Sequence, residues 1–123
     1  DVFIMNEIEA TCLSGEQDPD RAAGLLVRSF PQALIVITLG EDGSMCARKG
    51  EIIRQKAYRV RAVDTTAAGD TFSGYFIAGL VEGMEISKAL DLAARAASLC
   101  ITRKGAADSV PWRKELEKWD FKS

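Results

Sequence analysis

The run Ala33-Leu34-Ile35-Val36-Ile37, closing at Thr38, constrains the fold more than any other stretch. A half-exposed strand alternates apolar and polar residues; this run does not, so it asks for cover on both faces, as strands of a parallel sheet have. Before it, Asp18-Pro19 gives a helix cap followed by proline in the first turn, and Ala22, Ala23, Leu25, Leu26 and Phe30 then make a core-facing stripe at helical spacing. Further upstream, Val2 to Met5 reads as a short buried strand. It passes through Asn6-Glu7-Ile8-Glu9 into a short helix reaching Leu13 and ended by Ser14-Gly15. After Gly40-Glu41-Asp42-Gly43 the chain returns as a strand over Ser44 to Arg48, turns at Lys49-Gly50, and continues as a strand over Glu51 to Lys56. Strand, helix, strand and then hairpins define an α/β fold with a mixed sheet.

The second half is helical. Phe72, Phe76 and Leu80 recur at i, i+4 and i+8 in a helix from Gly69 to Val81, stopped by Gly83. Ile86 to Ile101 is an alanine-rich helix with Leu90, Ala94, Ala97 and Ile101 on one side, so the two helices are expected to pack closely as a hairpin. Thr102 to Val110 reads as a loop turning at Lys104-Gly105, and Pro111 to Lys118 as a last polar helix. Trp112 and Trp119 are expected to close the C-terminal edge. No repeat, low-complexity segment or interdomain linker is visible.

Composition narrows the function by exclusion. In 123 residues, 47% are hydrophobic and 28% charged, with a net charge of −2 and the two signs interspersed. That is an ordinary globular balance, without a nucleic-acid footprint or a polybasic membrane patch. The longest apolar run is far too short to cross a bilayer. Cys12, Cys46 and Cys100 are an odd number among apolar neighbours and read as buried free thiols of a cytoplasmic protein. The absence of histidine removes Ser-His-Asp and Cys-His nucleophilic sites and His-ligated zinc from this chain. Acid–base chemistry falls to carboxylates, lysine or tyrosine. The chain opens at Asp1 directly in an apolar segment, and is expected to be part of a longer polypeptide.

Chemistry concentrates in Val63-Asp64-Thr65-Thr66-Ala67-Ala68-Gly69-Asp70-Thr71-Phe72. Small residues at the mouth of a helix let a phosphate approach the free backbone N–H groups, and the helix dipole favours its charge. Asp70 falls in the first turn, beside such an anion, where it can face a second substrate. Phosphoryl transfer needs this pairing: an electropositive cradle for the moving phosphate and a base for the attacking hydroxyl. From this stretch alone, an equally simple account is that Asp64 or Thr66 caps the helix and Asp70 complements its dipole. Thr38-Leu39-Gly40-Glu41-Asp42-Gly43 lies at the carboxyl end of the central strand, where ligands gather in open α/β sheets, although a plain hairpin turn explains it equally. Asn6 and Glu9 read as a solvent-facing helix start. There is no Walker lysine motif, so any ATP must be held by helix-terminus amides around Ala67, Ala68 and Gly69.

Asp-Thr-Thr-Ala-Ala-Gly-Asp-Thr-Phe resembles the C-terminal signature of the ribokinase-like (pfkB-type) carbohydrate kinases. Much of that family carries Gly at the position of Ala67; Ala-Ala-Gly-Asp points to its ribokinase branch. Thr102-Arg103-Lys104-Gly105-Ala106 with Ser109-Val110-Pro111-Trp112 is a second specific match, and the likeness runs from Asn6 to Trp112. It implies the C-terminal, nucleotide-binding portion of an α/β/α sandwich kinase with a mixed, mostly parallel sheet and a C-terminal helix hairpin, residues 1–123, with the sugar-recognising part and lid lying elsewhere. The reaction implied is ATP-dependent phosphorylation of a sugar hydroxyl, with ribose as first choice; the chain alone would be inactive. Asp70 would be the base and sugar contact, and the amides of Ala67, Ala68, Gly69 and Asp70 the anion hole. Asn6, Thr38, Leu39, Gly40, Glu41, Asp42, Gly43, Gly69, Asp70 and Ala94 would meet ATP, with Ala94 lacking the polar side chain common there. Glu9 would act on Mg²⁺ through water. Asp64, Thr66, Cys100, Arg103, Gly105 and Ser109 would hold a monovalent cation such as K⁺, largely through carbonyls, and the complete enzyme could be a homodimer. The rivals are kinases for another sugar, a sugar acid or a nucleoside, and a non-catalytic nucleotide-binding domain.

Overall fold

The computed structural model describes residues 1–103, 111 and 113–118, and divides into two units, Asp1–Arg54 and Gln55–Ser123. The first unit runs β1 (Val2–Asn6), α1 (Glu7–Ser14), α2 (Pro19–Ser29), β2 (Leu34–Thr38), a 3₁₀ turn (Gly40–Asp42), β3 (Ser44–Arg48) and β4 (Glu51–Gln55). Its four strands lie in sequence order. The helical crossover makes β1 and β2 parallel, pairing Val2 with Leu34 through Asn6 with Thr38. The short turn makes β2 and β3 antiparallel, pairing Ile35 with Ala47 through Thr38 with Ser44.

Ile35, Val36 and Ile37 are all fully buried, so both faces of β2 are covered, as its unbroken apolar run requires. Ile35 and Ile37 share a core with Met5, Ala22, Ala23, Leu26 and Met45. The stripe of α2 is narrower than its sequence suggests. Leu25 is 37% exposed because it lies roughly 100° round the helix from the Ala22–Ala23–Leu26 face. Phe30, 45% exposed, is the non-helical C-cap of α2 and packs edge-on against Phe3 at the rim, ring centroids 5.0 Å apart. Local chemistry sets the ends: the Asp18 carboxylate accepts from the Arg21 N–H at 3.2 Å with Pro19 behind it, and Gly15 closes α1 at φ 79°.

The second unit contains α3 (Ala68–Val81), α4 (Ile86–Ile101) and α5 (Arg113–Lys118). Phe72, Phe76 and Leu90 are buried as expected, with the two phenyl rings stacked 6.3 Å apart; Leu80 is half-buried. The α3–α4 hairpin closes tightly at Gly79, where an added Cβ would stand 3.1 Å from the Ala89 Cβ and 3.3 Å from its Cα. Leu116 of α5 joins Ala96 and Leu99 of α4, and the Tyr75 hydroxyl donates to the Pro111 carbonyl at 2.5 Å. Arg113 pairs with Glu82 at 2.8 Å, which holds that exposed carboxyl below its usual range.

The expectation that all three thiols are buried holds for Cys46 and Cys100 and fails for Cys12, which is exposed. Ala10 is the one buried residue of α1, and Ile8 and Leu13 face solvent as Cys12 does. Local apolar neighbours did not mean burial. Burial pushes the Cys46 thiol up to about 11. No helix among the described residues is long and apolar enough to cross a membrane.

Candidate active site

Two of the predicted segments meet at the carboxyl ends of β1 and β2, where Asn6 and Thr38 are register partners. The Thr38 hydroxyl donates to the Met5 carbonyl at 3.4 Å. Beyond it the chain makes a compact turn: the Leu39 N–H donates to the Gly43 carbonyl at 2.8 Å, the Asp42 N–H to Leu39 and the Gly43 N–H to Gly40, both at 3.1 Å. Gly40 and Gly43 have φ of 60° and 96°, so both glycines are required by the turn itself. Glu41 and Asp42 stand exposed. Asn6 and Glu9 form a reciprocal capping box at the start of α1, the Asn6 side-chain Oδ1 accepting from the Glu9 N–H at 2.8 Å and a Glu9 carboxylate oxygen from the Asn6 N–H at 2.9 Å. Both side chains are exposed, and one Glu9 oxygen is already engaged.

The Asp64–Asp70 segment belongs to the second unit. Asp64 does not cap α3. Its carboxylate bends back on its own loop, accepting from the Thr66 N–H at 2.9 Å and from the Thr66 hydroxyl. The N-cap is Ala67, which brings no side-chain hydrogen bond. The Ala68 N–H reaches the Thr65 carbonyl at 3.2 Å and the Thr71 N–H the Ala67 carbonyl at 2.9 Å. Gly69 and Asp70 therefore sit in a first turn whose amides no side chain closes, and both are exposed. An added Cβ at Gly69 would meet nothing within 4 Å. Dipole and amides favour an anion here, and the Asp70 carboxylate stands in the same turn.

The same segment is tied to the end of α4. The Val63 and Asp64 N–H groups both donate to the Ile101 carbonyl, at 2.6 and 3.1 Å. This brings Asp64 and Thr66 to the neighbourhood of Cys100 and Arg103. The Arg103 guanidinium pairs with Glu115, while its N–H donates to the Cys100 carbonyl at 3.1 Å. Gly105 and Ser109, with Lys104, Val110, Trp112 and Trp119, lie outside the described residues. Among those described, no group of three or more His, Cys, Asp or Glu side chains is placed to hold a metal. The donors gathered here are one carboxylate, hydroxyls and carbonyls, a hard-oxygen set that fits an alkali cation better than a transition metal. Ala94 is buried in α4 and offers no side-chain hydrogen bond.

Two contacts escaped the sequence. Tyr58 donates to Asp91, which also pairs with Arg95 at 3.0 Å, and the Arg95 guanidinium lies 5.8 Å from the Tyr58 ring centroid. Burial, followed by the bond to Asp91, holds the Tyr58 hydroxyl above its usual pKa. The buried Thr71 hydroxyl donates to the Cys100 sulfur at 3.4 Å. The partners lie 33 and 29 residues apart, so no local spacing announces either contact.

These features define a ribokinase-like fold. It superposes on Arabidopsis thaliana ribokinase complexed with ribose and ATP with a TM-score of 0.87 at 35% identity, covering 96% of this chain and 40% of that one. The fructokinase of Vibrio cholerae, in its fructose-, ADP- and calcium-bound form, gives a TM-score of 0.87 at 28% identity, covering 96% and 40%. The ribokinase of Haemophilus influenzae is 37% identical over 119 residues, covering 94% of this chain and 39% of the relative. Residues 1–113 match the family model described as pfkB family carbohydrate kinase, and the chain belongs to that family. It spans about 40% of the length of the curated relatives it matches.

Proposed function

We propose that this chain is the nucleotide-handling part of a kinase that transfers the γ-phosphoryl group of ATP to a sugar hydroxyl, with ribose as the first substrate. The observation that carries the reading is the first turn of α3: uncapped amides with the Asp70 carboxylate beside them, within a family of carbohydrate kinases. Asp70 takes the proton of the attacking hydroxyl. The amides of the Ala67–Asp70 turn stabilise charge on the phosphoryl oxygens. Ala94, in the same unit as Asp70, contributes to the nucleotide site; in the first unit the Thr38–Gly43 turn is a candidate nucleotide contact of its own, and Asn6 is taken up in capping α1. Mg²⁺ would neutralise phosphate charge when bound with ATP; Glu9, the sequence candidate for acting on it through water, lies in the first unit and caps α1. Asp64, Thr66 and the carbonyls of Cys100 and Arg103, with Gly105 and Ser109 added by the family likeness alone, would hold K⁺, which would steady the segment before the anion hole. The protein would act in the cytoplasm, and its complete form could be a homodimer.

The test is sugar-dependent ADP formation by the full gene product with ribose, fructose and other sugars, in K⁺, Na⁺ and a bulky organic cation. Fructose is included because the Vibrio cholerae fructokinase is as similar in fold as the Arabidopsis thaliana ribokinase. The expected result is turnover with ribose that K⁺ raises above Na⁺. Nucleotide binding without turnover on any sugar would leave a binding domain instead, and equal rates in all three cations would remove the cation site.

A further inference from the structure

The residues between Asp64 and Thr71 are held at both ends by consecutive residues of one helical turn. At the upstream end the Ile101 carbonyl accepts from both Val63 and Asp64. At the downstream end the neighbouring residue, Cys100, accepts the Thr71 hydroxyl through its sulfur. Thr71 is 3% exposed and Cys100 fully buried, so water does not compete for this contact. A threonine in a helix commonly returns its hydroxyl to a carbonyl of the preceding turn. Thr71 instead reaches across to α4. Between the two attachments lie Thr65 to Asp70, which include the proposed anion hole, Ala67–Asp70, and the base.

We propose that the last turn of α4 is the positioning element for this segment, with Thr71 and Cys100 as the positioning pair at its catalytic end. The inference rests on the kinase reading for its catalytic consequence alone. A hydrogen bond to sulfur is weak, yet it is directional and fixes the rotation of the first turn of α3, and so the aim of the amides and of Asp70. Misplacing reacting groups by about 1 Å can cost on the order of 10²-fold in rate. The Thr71 hydroxyl is buried and engaged with Cys100, so its loss acts on turnover and leaves ground-state nucleotide binding near its wild-type value.

The test uses the full gene product with Thr71→Val, which keeps volume and branching and removes the hydroxyl. Hydrogen exchange is read at the bonded amides of Thr66, Ala68 and Thr71, with Phe76 in mid-helix as reference. Exchange at the first three should quicken about tenfold while Phe76 is unchanged, as for a local opening. In turnover, kcat should fall about tenfold or more with KM for ATP within threefold. Thr71→Ser and Cys100→Ser, which keep a donor and an acceptor, should restore both readouts. Cys100→Ala should reproduce Thr71→Val, and the double variant should be no worse than either single one. Unchanged exchange in Thr71→Val, or additive losses in the double variant, would overturn the pairing. A wild-type protein that phosphorylates no sugar would sink the kinase reading, while the exchange comparison would still decide the positioning.

Discussion

The N-termini of α1 and α3 begin from similar promise and end in opposite states. α1 follows strand β1 and α3 follows the Asp64–Thr66 turn, and each carries polar residues that sequence reasoning assigns to phosphate chemistry. At α1, Asn6 and Glu9 satisfy one another, and the helix end is closed by its own side chains. At α3 the N-cap is alanine, the nearest upstream carboxylate is occupied with Thr66, and the first turn is left to solvent. An open end is not itself diagnostic, since α4 also begins without a side-chain cap at Glu85. What separates α3 is the conjunction of small residues, a carboxylate in the first turn, and attachment at both ends to α4. A polar motif is informative about ligands only after its local hydrogen bonds have been counted.

Replacing Asp70 gives the largest expected contrast. Asp70→Asn keeps size and removes the proposed base, so kcat in the full gene product should fall by about 10²–10⁴-fold with little change in KM for ATP. Single-turnover phosphoryl transfer at saturating ATP and sugar is the measurement. A rate within threefold of wild type would reduce Asp70 to a helix-start carboxylate, and α3 to the same standing as α1.

Gly69→Ala separates space from function more finely. The fold has room for the methyl group, and the helix gains roughly 0.5–1 kcal/mol from losing a glycine. A phosphate approaching those amides would lose that room, so kcat/KM for ATP should drop about tenfold, a loss of about 1.4 kcal/mol. Asn6→Ala should do the reverse, lowering stability by about 1 kcal/mol in urea unfolding while ATP kinetics stay near wild type. A tenfold rise in KM for ATP without any loss of stability would make α1 a ligand site after all. Gly74→Ala is the smallest effect: an exposed mid-helix position with nothing within 4 Å of the added Cβ, gaining up to about 1 kcal/mol and leaving kcat alone.

The sequence disclosed what depends on near neighbours. The unbroken apolarity of β2, the Asp18-Pro19 start of α2 and the spacing of Phe72 and Phe76 all became the elements they forecast. The compact α3–α4 contact followed from small residues, with Gly79 against Ala89 as its tightest point. What stayed hidden depends on tertiary neighbours. Leu25, Phe30 and Cys12 have apolar surroundings in the sequence and face solvent in the fold. For the candidate site, the Ala67–Asp70 turn was legible because a helix mouth is local. The Asp64–Thr66 turn was not, because Asp64 could equally have capped α3. The Ile101 and Cys100 attachments were invisible, since they join residues far apart in the chain.

The uneven burial of the three thiols turns the molecule into its own unfolding clock. Cys12 is open to a labelling reagent in the native state, Cys46 is sealed within the first unit, and Cys100 within the second. Cys46 is doubly silent, buried and held protonated well above neutral pH. Pulsed alkylation followed by peptide mapping should therefore tag Cys12 at once, and time the opening of each unit from its own cysteine. Equal lag at Cys46 and Cys100 would mean the units open as one cooperative body; two different lags would mean that the half bearing the Ala67–Asp70 turn and the half bearing the sheet can come undone separately.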